Sequence, residues 1–202
     1  MILHAQAEGA GATMETATRT AAELEHDCAF ARSRGGPQAR TTLLHIGAQG
    51  TALLAGGDSP PEAPLWLAIG AKKTAEAFFR HEPPTPLDLE SAIYASEDEI
   101  SRAKARPAEG AALLTIDGGL LKLAAVGGSP AAGGRTMTRD AVEQMFQRLA
   151  LASFGHPGAL AGLPAGREAA AVLLILREIM HHLGYESISA VDAAEPTAGS
   201  EH

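Results

Sequence analysis

Two glycine-rich turns in this sequence have residue types that suit the binding of a phosphate group. The first turn, residues 47–51, lies between the apolar stretches TTLLHI and TALLAG, and the second turn, Asp117-Gly118-Gly119, follows the apolar stretch ALLTI. Glycine lets backbone N–H groups approach phosphate oxygens without a Cβ in the way. The alternative for the first turn is a plain β-hairpin, in which glycine and Gln-Gly are ordinary choices. The alternative for the second is simply the end of a strand.

The predicted phosphate-binding residues come from these turns and from one arginine farther along the chain. Arg167 follows a Leu-Pro-x-Gly turn and begins a long apolar stretch, so it suits either a phosphate contact or a contact between two helices. His45, just ahead of the first turn, suits a phosphate contact or a satisfied polar position on a strand. No residue is assigned a catalytic role. The full predicted set is Gly47, Gln49, Gly50, Thr51, Gly118, Gly119 and Arg167.

Other chemically capable side chains are predicted to be structural. The tandem histidines His181 and His182 point about 100° apart on a helix. No cysteine or carboxylate partner is recognised at ligand spacing from them, so no metal site is predicted. The acidic run at residues 97–99 is predicted to be a solvated helix face. Cys28 is the only cysteine, so it cannot form an internal disulfide, and it is predicted to be a small core thiol in a reducing compartment.

The composition limits the classes of function. With 202 residues, 46% of them hydrophobic, the chain can form one domain with a substantial core. Its net charge of −8 argues against a broad nucleic-acid surface and against binding to an anionic membrane. No apolar stretch is long enough to cross a membrane, and the first residues lack the basic and apolar regions of a signal peptide. We therefore expect a cytoplasmic protein.

Hydrophobic periodicity predicts the elements that position the first turn. Residues 15–34 form a predicted helix whose apolar stripe consists of Ala17, Ala21, Leu24, Cys28 and Ala31. Three strand-like runs, TTLLHIG, TALLAGG and PLWLAIG, then predict an antiparallel meander that contains the first turn. A short helix, AKKTAEAFFRH, follows and is broken by two prolines.

The later elements alternate between helix and strand. Thr85, Pro86 and Asp88 suit the N-cap, N1 and N3 positions of one helix, and Thr138 suits the N-cap of another. GAALLTID and ESISAV are predicted strands, LLKLAAVGG suits either a strand or a short helix, and SPAAGGR is a predicted loop. The apolar stretch REAAAVLLILREIMHHL is a predicted central helix that ends at Gly184.

This order of elements predicts an α/β domain. A meander followed by alternating helices and strands implies crossover connections, and therefore a mixed sheet with helices on both faces. We predict a single domain over residues 14–193, with a loose segment at residues 1–13 and a loose tail at residues 194–202.

Four stretches, taken in order, resemble one family of proteins. They are LWLAIGAKKTAEAFFRHEPPTPLDLESAI, TIDGG, TMTRDAVEQMFQRLALAS, and GLPAGREAAAVLLILREIMHHLGYESISAVD. Their order and spacing resemble the second of the two actin-like lobes of the exopolyphosphatase and guanosine-pentaphosphate phosphohydrolase (Ppx/GppA) family. The resemblance covers about residues 15–193 and implies a ribonuclease H-like (actin-like ATPase) fold.

The sequence departs from the family's pattern at its two turns. In the family the first turn is Asp-x-Gly-Gly-Gly-Ser, and its Asp would help to hold a divalent metal beside the phosphate. Here His45 replaces that Asp, and Ala48 and Gln49 replace glycines. In the second turn Asp117 and Leu120 replace hydroxyl residues. The family's Leu-Pro-x-Gly-Arg turn is intact as Leu163, Pro164, Gly166 and Arg167.

The resemblance implies a degenerate homologue with weak or no phosphohydrolase activity, whose ligand is a phosphate-containing small molecule or polyphosphate. One alternative is an active phosphoanhydride hydrolase that uses Mg²⁺ and is completed by dimerisation or by a partner chain, because the family's water-activating carboxylate lies on its first lobe. Another is a non-catalytic binding or assembly module. We accordingly expect a homo-oligomer or a complex with a partner lobe, and no nucleic-acid or membrane partner.

Overall fold

The structure is a computed structural model that describes residues 19–35, 40–57, 63–103 and 111–192. Within these ranges seven strands form one mixed sheet in the order β3-β2-β1-β4-β7-β6-β5. The strands are β1 (Thr41–Ile46), β2 (Thr51–Gly56), β3 (Leu65–Leu67), β4 (Ala112–Thr115), β5 (Ser129–Ala131), β6 (Gly134–Thr138) and β7 (Ser187–Val191). The loose termini predicted from the sequence lie outside the described residues.

Helices cover both faces of this sheet, as the order of elements predicts. They are α1 (Ala21–Arg34), α2 (Ala71–Phe78), α3 (Pro86–Arg102), α4 (Gly118–Gly127), α5 (Arg139–Ser153) and α6 (Arg167–Leu183), with a short 3₁₀ helix at Pro157–Leu160. Helix α1 packs on one face, against β1, β2 and β4. The larger apolar core lies on the other face, where α6 contacts α2, α3, α4 and α5. The fold is therefore the predicted mixed α/β sheet.

The predicted meander is present and has the expected register. Strands β1 and β2 pair antiparallel, with Leu43 opposite Leu54 and Leu44 opposite Leu53. Strand β3 pairs antiparallel with β2 on its outer side. Strand β1 also pairs in parallel with β4, with Leu43 opposite Leu114. The carboxyl ends of β1 and β4 therefore meet at one edge of the sheet.

Helix starts follow the predicted capping residues where those residues are described. In α3 the Thr85 hydroxyl accepts the Asp88 N–H, and the Asp88 carboxylate accepts the Thr85 N–H. Helix α1 has the same arrangement at Thr20 and Glu23, and it begins at Ala21. Because Thr20 is extended, the predicted helix does not run through it unbroken, and its predicted start at residue 15 lies outside the described residues. The predicted stripe residue Ala17 lies outside the described residues.

In the second half of the chain, the structure decides one prediction that was left open and corrects another. LLKLAAVGG is helical, as part of α4. The predicted loop SPAAGGR is wrong, because it contains the β5–β6 hairpin, whose turn includes Gly133 at a φ of +71°. Strand β6 lies so close to β7 that a Cβ on Gly134 would stand 2.0 Å from the Ala190 oxygen. Glycine is thus required there for the pairing of β6 with β7.

The remaining predicted elements are confirmed. Helix α5 is capped by the Thr138 hydroxyl, which accepts the Ala141 N–H, and α6 ends at Gly184 in the left-handed conformation. Cys28 is buried with a free thiol, as predicted. Of the helices in the described ranges, none combines the length and the apolar character needed to cross a membrane.

Candidate phosphate-binding site

The two glycine turns lie side by side at the edge of the sheet where β1 and β4 end. The Asp117 carboxylate joins them: its Oδ2 accepts the Ile46 N–H at 2.7 Å, and its Oδ1 lies 2.7 Å from His45 Nδ1. Both side chains of this His45–Asp117 pair are largely buried, with 14% and 11% of their surface exposed. The end of β1 and the end of β4 are thus connected through one carboxylate.

This hydrogen bond sets the orientation of the His45 ring. An ionised carboxylate only accepts hydrogen bonds, so Nδ1 must carry the shared proton. The ring's other nitrogen, Nε2, then lies beside the first turn, where a Cβ on Gly47 would stand 3.2 Å from it. Imidazole in this orientation can accept a proton at Nε2 or, once protonated, donate one to an oxyanion.

The first turn is held against the start of helix α2. The Gly47 carbonyl accepts the Ala71 N–H at 2.8 Å, and the Ala48 carbonyl accepts the Lys73 N–H at 3.0 Å. A Cβ on Gly70 would approach the Gly50 nitrogen to 2.5 Å, so the turn and the helix start are in direct backbone contact. These carbonyl oxygens therefore accept hydrogen bonds from N–H groups in the first turn of α2, which have no acceptor within that helix.

Thr51, a predicted phosphate-binding residue, lies in the core. It has no exposed surface, and its hydroxyl donates to the Ile69 carbonyl at 2.7 Å. The other residues of the first turn are nearer the solvent: Gly47 and Gly50 are partly buried, and Gln49 is exposed. The hydroxyl of Thr51 therefore connects β2 to the segment after β3.

The second turn opens directly onto the N-terminus of helix α4. Gly118 and Gly119 are its first two residues, and both are exposed. Asp117 occupies the N-cap position but makes no side-chain capping bond, because its carboxylate binds β1 and His45. The first N–H groups of an α-helix have no intrahelical acceptor, and the helix dipole attracts anions to them.

Neither glycine of the second turn is required by packing. A Cβ on Gly118 would meet nothing within 4 Å, and a Cβ on Gly119 would make only ordinary contact with the Val172 side chain, at 3.6 Å. Neither has a positive φ. The start of α4 is therefore exposed and uncrowded at both glycines.

Arg167 does not join the two turns in this structure. Its Nη1 donates to the Phe79 carbonyl at 3.0 Å. Phe79 follows the last residue of α2, whereas the first turn contacts the first residues of that helix. An eight-residue helix is about 12 Å long. Arg167 therefore connects α6 to the end of α2 that lies away from the first turn, which is the helix-to-helix contact considered as the alternative.

The His45–Asp117 pair was not predicted from the sequence. His45 and Asp117 were considered only as separate replacements of family residues, although both lie at the carboxyl ends of strands. The parallel register of β1 with β4 would have predicted the pair, because its continuation beyond Leu43 and Leu114 places Asp117 beside Ile46. Around these turns, the described residues contain no group of three side chains that could hold a metal ion together.

Comparisons with known proteins give a match in structure only. No protein-family model and no curated protein sequence matches the chain. Among solved structures, the Ppx/GppA family member from Aquifex aeolicus is similar with a TM-score of 0.67 and 16% identity, over 85% of this chain and 58% of that one. An exopolyphosphatase from Cytophaga hutchinsonii is similar with a TM-score of 0.63 and 12% identity, over 84% of this chain and 57% of that one. The type II variant of the Aquifex aeolicus phosphatase is similar with a TM-score of 0.61 and 18% identity, over 77% of this chain and 54% of that one.

The chain spans little more than half the length of these proteins. Their fold is the ribonuclease H-like, actin-like one that the sequence resemblance implies. This chain therefore has the fold of about half of a Ppx/GppA phosphatase structure.

Proposed function

We propose that this chain binds a phosphate group, carried by a small molecule or by polyphosphate, at the sheet edge that holds its two glycine turns, and that its phosphohydrolase activity is weak or absent. The observation that carries this proposal is the open N-terminus of α4 beside an Asp117 carboxylate whose two oxygens are both engaged. The fold similarity to exopolyphosphatases supports a phosphate ligand.

The proposed binding relies on backbone N–H groups. Gly118 and Gly119 leave the N–H groups at the start of α4 accessible, and such N–H groups bind phosphate oxygens together with the helix dipole. The negative charge of Asp117 next to them would oppose an anion. The hydrogen bonds from Ile46 and His45 to both carboxylate oxygens moderate that charge.

The same residues are the reason to expect weak or absent hydrolysis. In the related family a carboxylate ahead of the first turn would help to hold Mg²⁺, and here that position is His45. Asp117 cannot serve as a free base or ligand without giving up one of its two hydrogen bonds. A phosphate bound at this edge would therefore be held without a carboxylate free to position a metal or an attacking water.

One observation favours a second candidate, an active phosphoanhydride hydrolase. The His45–Asp117 pair has the arrangement of a carboxylate–imidazole base, in which Nε2 could take a proton from water. Such an enzyme would need Mg²⁺ and further residues from a second copy or a partner chain, since this chain spans just over half the length of its structural relatives.

Calorimetric titration of tripolyphosphate into the purified chain tests the binding proposal. Replacing Gly118 and Gly119 together by alanine adds a methyl group to each of the first two residues of α4, beside the proposed phosphate, and we expect binding to weaken at least tenfold, or about 1.4 kcal/mol. The change should not destabilise the fold, because neither new Cβ would meet a close contact. Weaker binding by a protein of undiminished stability excludes unfolding as the cause.

The matched control is Gly158→Ala, at an exposed glycine where a Cβ would also meet nothing within 4 Å. It should leave tripolyphosphate binding unchanged. Absence of binding by the wild-type chain, or equal binding by the double variant, would contradict the proposal.

A phosphate-release assay separates the two candidates. We expect little or no phosphate from polyphosphate or guanosine pentaphosphate, whether Mg²⁺ or EDTA is present. Release that requires Mg²⁺ and is abolished by His45→Gln would instead establish the hydrolase, with His45 as its base. Without binding and without release, an oligomeric mass would favour a non-catalytic assembly module.

A further inference from the structure

A separate group of three polar side chains connects helices α3 and α6. Glu97 comes from α3, and Glu178 and His182 come from α6, where a spacing of four residues puts both on one face. One ligand atom from each of the three lies within 4.8 Å of the others. Three residues separate the end of α6 from the start of β7, so His182 lies toward the end of the sheet opposite the glycine turns.

Glu178 is the residue whose position needs an explanation. Its side chain is 1% exposed, and its Oε1 accepts a hydrogen bond from Arg177 Nη1 at 2.5 Å. Its Oε2 is fully buried, and no donor among the described residues forms a hydrogen bond with it. That oxygen faces His182 Nε2 at 3.4 Å, which is longer than an ordinary hydrogen bond. A buried carboxylate oxygen without a donor is costly unless a cation meets it.

We propose that Glu97, Glu178 and His182 bind one divalent transition-metal ion of the Zn²⁺ class. Metal bonds of about 2.1 Å to nitrogen and oxygen, in a tetrahedral arrangement, place neighbouring ligand atoms about 3.4 Å apart. The separation of His182 Nε2 from Glu178 Oε2 is 3.4 Å, and its separation from Glu97 Oε1 is 3.5 Å. The two separations from His182 therefore match neighbouring corners of such a site, and one ligand atom from each of the three residues lies within 4.8 Å of the others.

The local charge also fits a divalent cation. Arg177 binds both Glu178 and Glu143, the latter through Nε at 2.8 Å. With a neutral His182, the carboxylates of Glu97, Glu143 and Glu178 and the guanidinium of Arg177 together carry a charge of −2, which one divalent ion would neutralise. The C-terminal end of α6 adds the negative end of a helix dipole, which favours a cation in its last turn.

The ligand types select the class of metal. An imidazole with two carboxylates suits Zn²⁺ and its neighbours in the transition series, whereas Mg²⁺ prefers oxygen ligands and retains water. Glu97 and His182 are partly exposed, at 44% and 30% of their side-chain surface. An ion can therefore enter from solvent, and a water can complete the fourth position.

This site corrects the prediction that no carboxylate stands at ligand spacing from the tandem histidines. Glu178 precedes His182 by four residues, the spacing at which two side chains share one helix face. Only the second histidine takes part: His181 is exposed and is not in the group. The third residue, Glu97, is brought in by the packing of α3 against α6.

The test is a zinc-binding titration of the purified, EDTA-treated and dialysed chain against a chromophoric chelator, with thermal unfolding measured on the same samples. We expect one Zn²⁺ per chain, a Tm that rises with Zn²⁺ because the ion binds the folded state, and no comparable effect of Mg²⁺. His182→Gln and Glu97→Gln should each weaken Zn²⁺ binding at least tenfold and remove the rise in Tm.

The matched control is His181→Gln, which changes the neighbouring histidine and should bind Zn²⁺ like the wild type. Both test residues are partly exposed, so these variants avoid the risk that replacing buried Glu178 unfolds the chain. Absence of Zn²⁺ binding, or binding that persists in His182→Gln, would overturn the proposal and leave His182 as an ion-pair partner of the two glutamates. The Gly118→Ala/Gly119→Ala variant should retain Zn²⁺ binding, which keeps this test independent of the phosphate site.

Discussion

At the scale of single residues, Asp117 has two opposing effects at the proposed phosphate site. Its carboxylate fixes the His45 ring and binds the Ile46 N–H, yet its negative charge stands beside the amides that would receive an anion. Removing only the charge should therefore lower the stability of the fold and strengthen the binding of an anion.

Asp117→Asn should therefore lower the free energy of unfolding by about 1–3 kcal/mol, because charge-assisted hydrogen bonds in a largely buried site are lost. It should also strengthen tripolyphosphate binding by about tenfold. Urea unfolding and calorimetry measure the two quantities. Asp98→Asn, at an exposed carboxylate paired with Arg102, is the control and should change stability by less than about 1 kcal/mol. Weaker tripolyphosphate binding by Asp117→Asn would contradict the proposed position of the anion.

Cys28 predicts a specific pH dependence of stability. Burial raises the pKa of its thiol, and the hydrogen bond with Thr41 and the charge of Arg32 only partly oppose that rise. A thiol with a raised folded-state pKa stabilises the fold fully below the unfolded pKa of about 8.5, and this contribution is lost as pH rises through the folded pKa. Denaturation at pH 7 to 10 should show stability falling above pH 8.5, with a smaller fall in Cys28→Ala. An identical fall in both proteins would exclude the thiol as its source.

At the scale of elements, the sequence predicted a helix boundary correctly where the capping residue lies next to that boundary. The Thr85 capping residues predicted the start of α3, and Gly184 predicted the end of α6. The β5–β6 hairpin was missed because every residue of β5 is exposed, so this strand has no alternation of apolar and polar residues to recognise. Its existence depends instead on Gly134 and the neighbouring strand β7.

Gly134→Ala tests that dependence. The new Cβ would stand 2.0 Å from the Ala190 carbonyl oxygen, a backbone atom that cannot move without disturbing β7. We expect the free energy of unfolding to fall by about 1–3 kcal/mol, in the range of other overpacked sites. Gly158→Ala introduces the same methyl group into open space and should have little effect. A Gly134→Ala protein as stable as wild type in urea would show that the edge hairpin contributes little to the sheet.

The candidate sites were predictable only in part, because they too depend on contacts between segments that are far apart in the sequence. The glycine turns are contiguous in sequence, whereas His45 and Asp117 are 72 residues apart and are paired by the parallel register of β1 with β4. Arg167 was placed with the turns by resemblance, but its structural partner is the Phe79 carbonyl, 88 residues away. Contacts over such distances are set by sheet order and helix packing, which the local pattern of a single sequence does not specify.

At the scale of the whole molecule, the expectation of a homo-oligomer or a partner lobe stays a prediction. Several large apolar side chains of the described residues are exposed, and an interface with a second copy or a partner lobe would bury some of them. The most exposed are Leu87, Leu151, Phe154 and Tyr94. Light scattering should give a mass at least twice the 20.8 kDa of one chain. A mass of one chain at all concentrations would contradict self-association and leave a separate partner chain as the remaining alternative.

The two hydrogen bonds between the first turn and α2 provide an internal reporter. The amide hydrogens of Ala71 and Lys73 bind the carbonyl oxygens of Gly47 and Ala48, so they can exchange with heavy water only when turn and helix separate. Their exchange rates therefore measure how often the turn opens. Any ligand that orders the turn should slow deuterium uptake at these two positions of α2, which themselves need not contact the ligand.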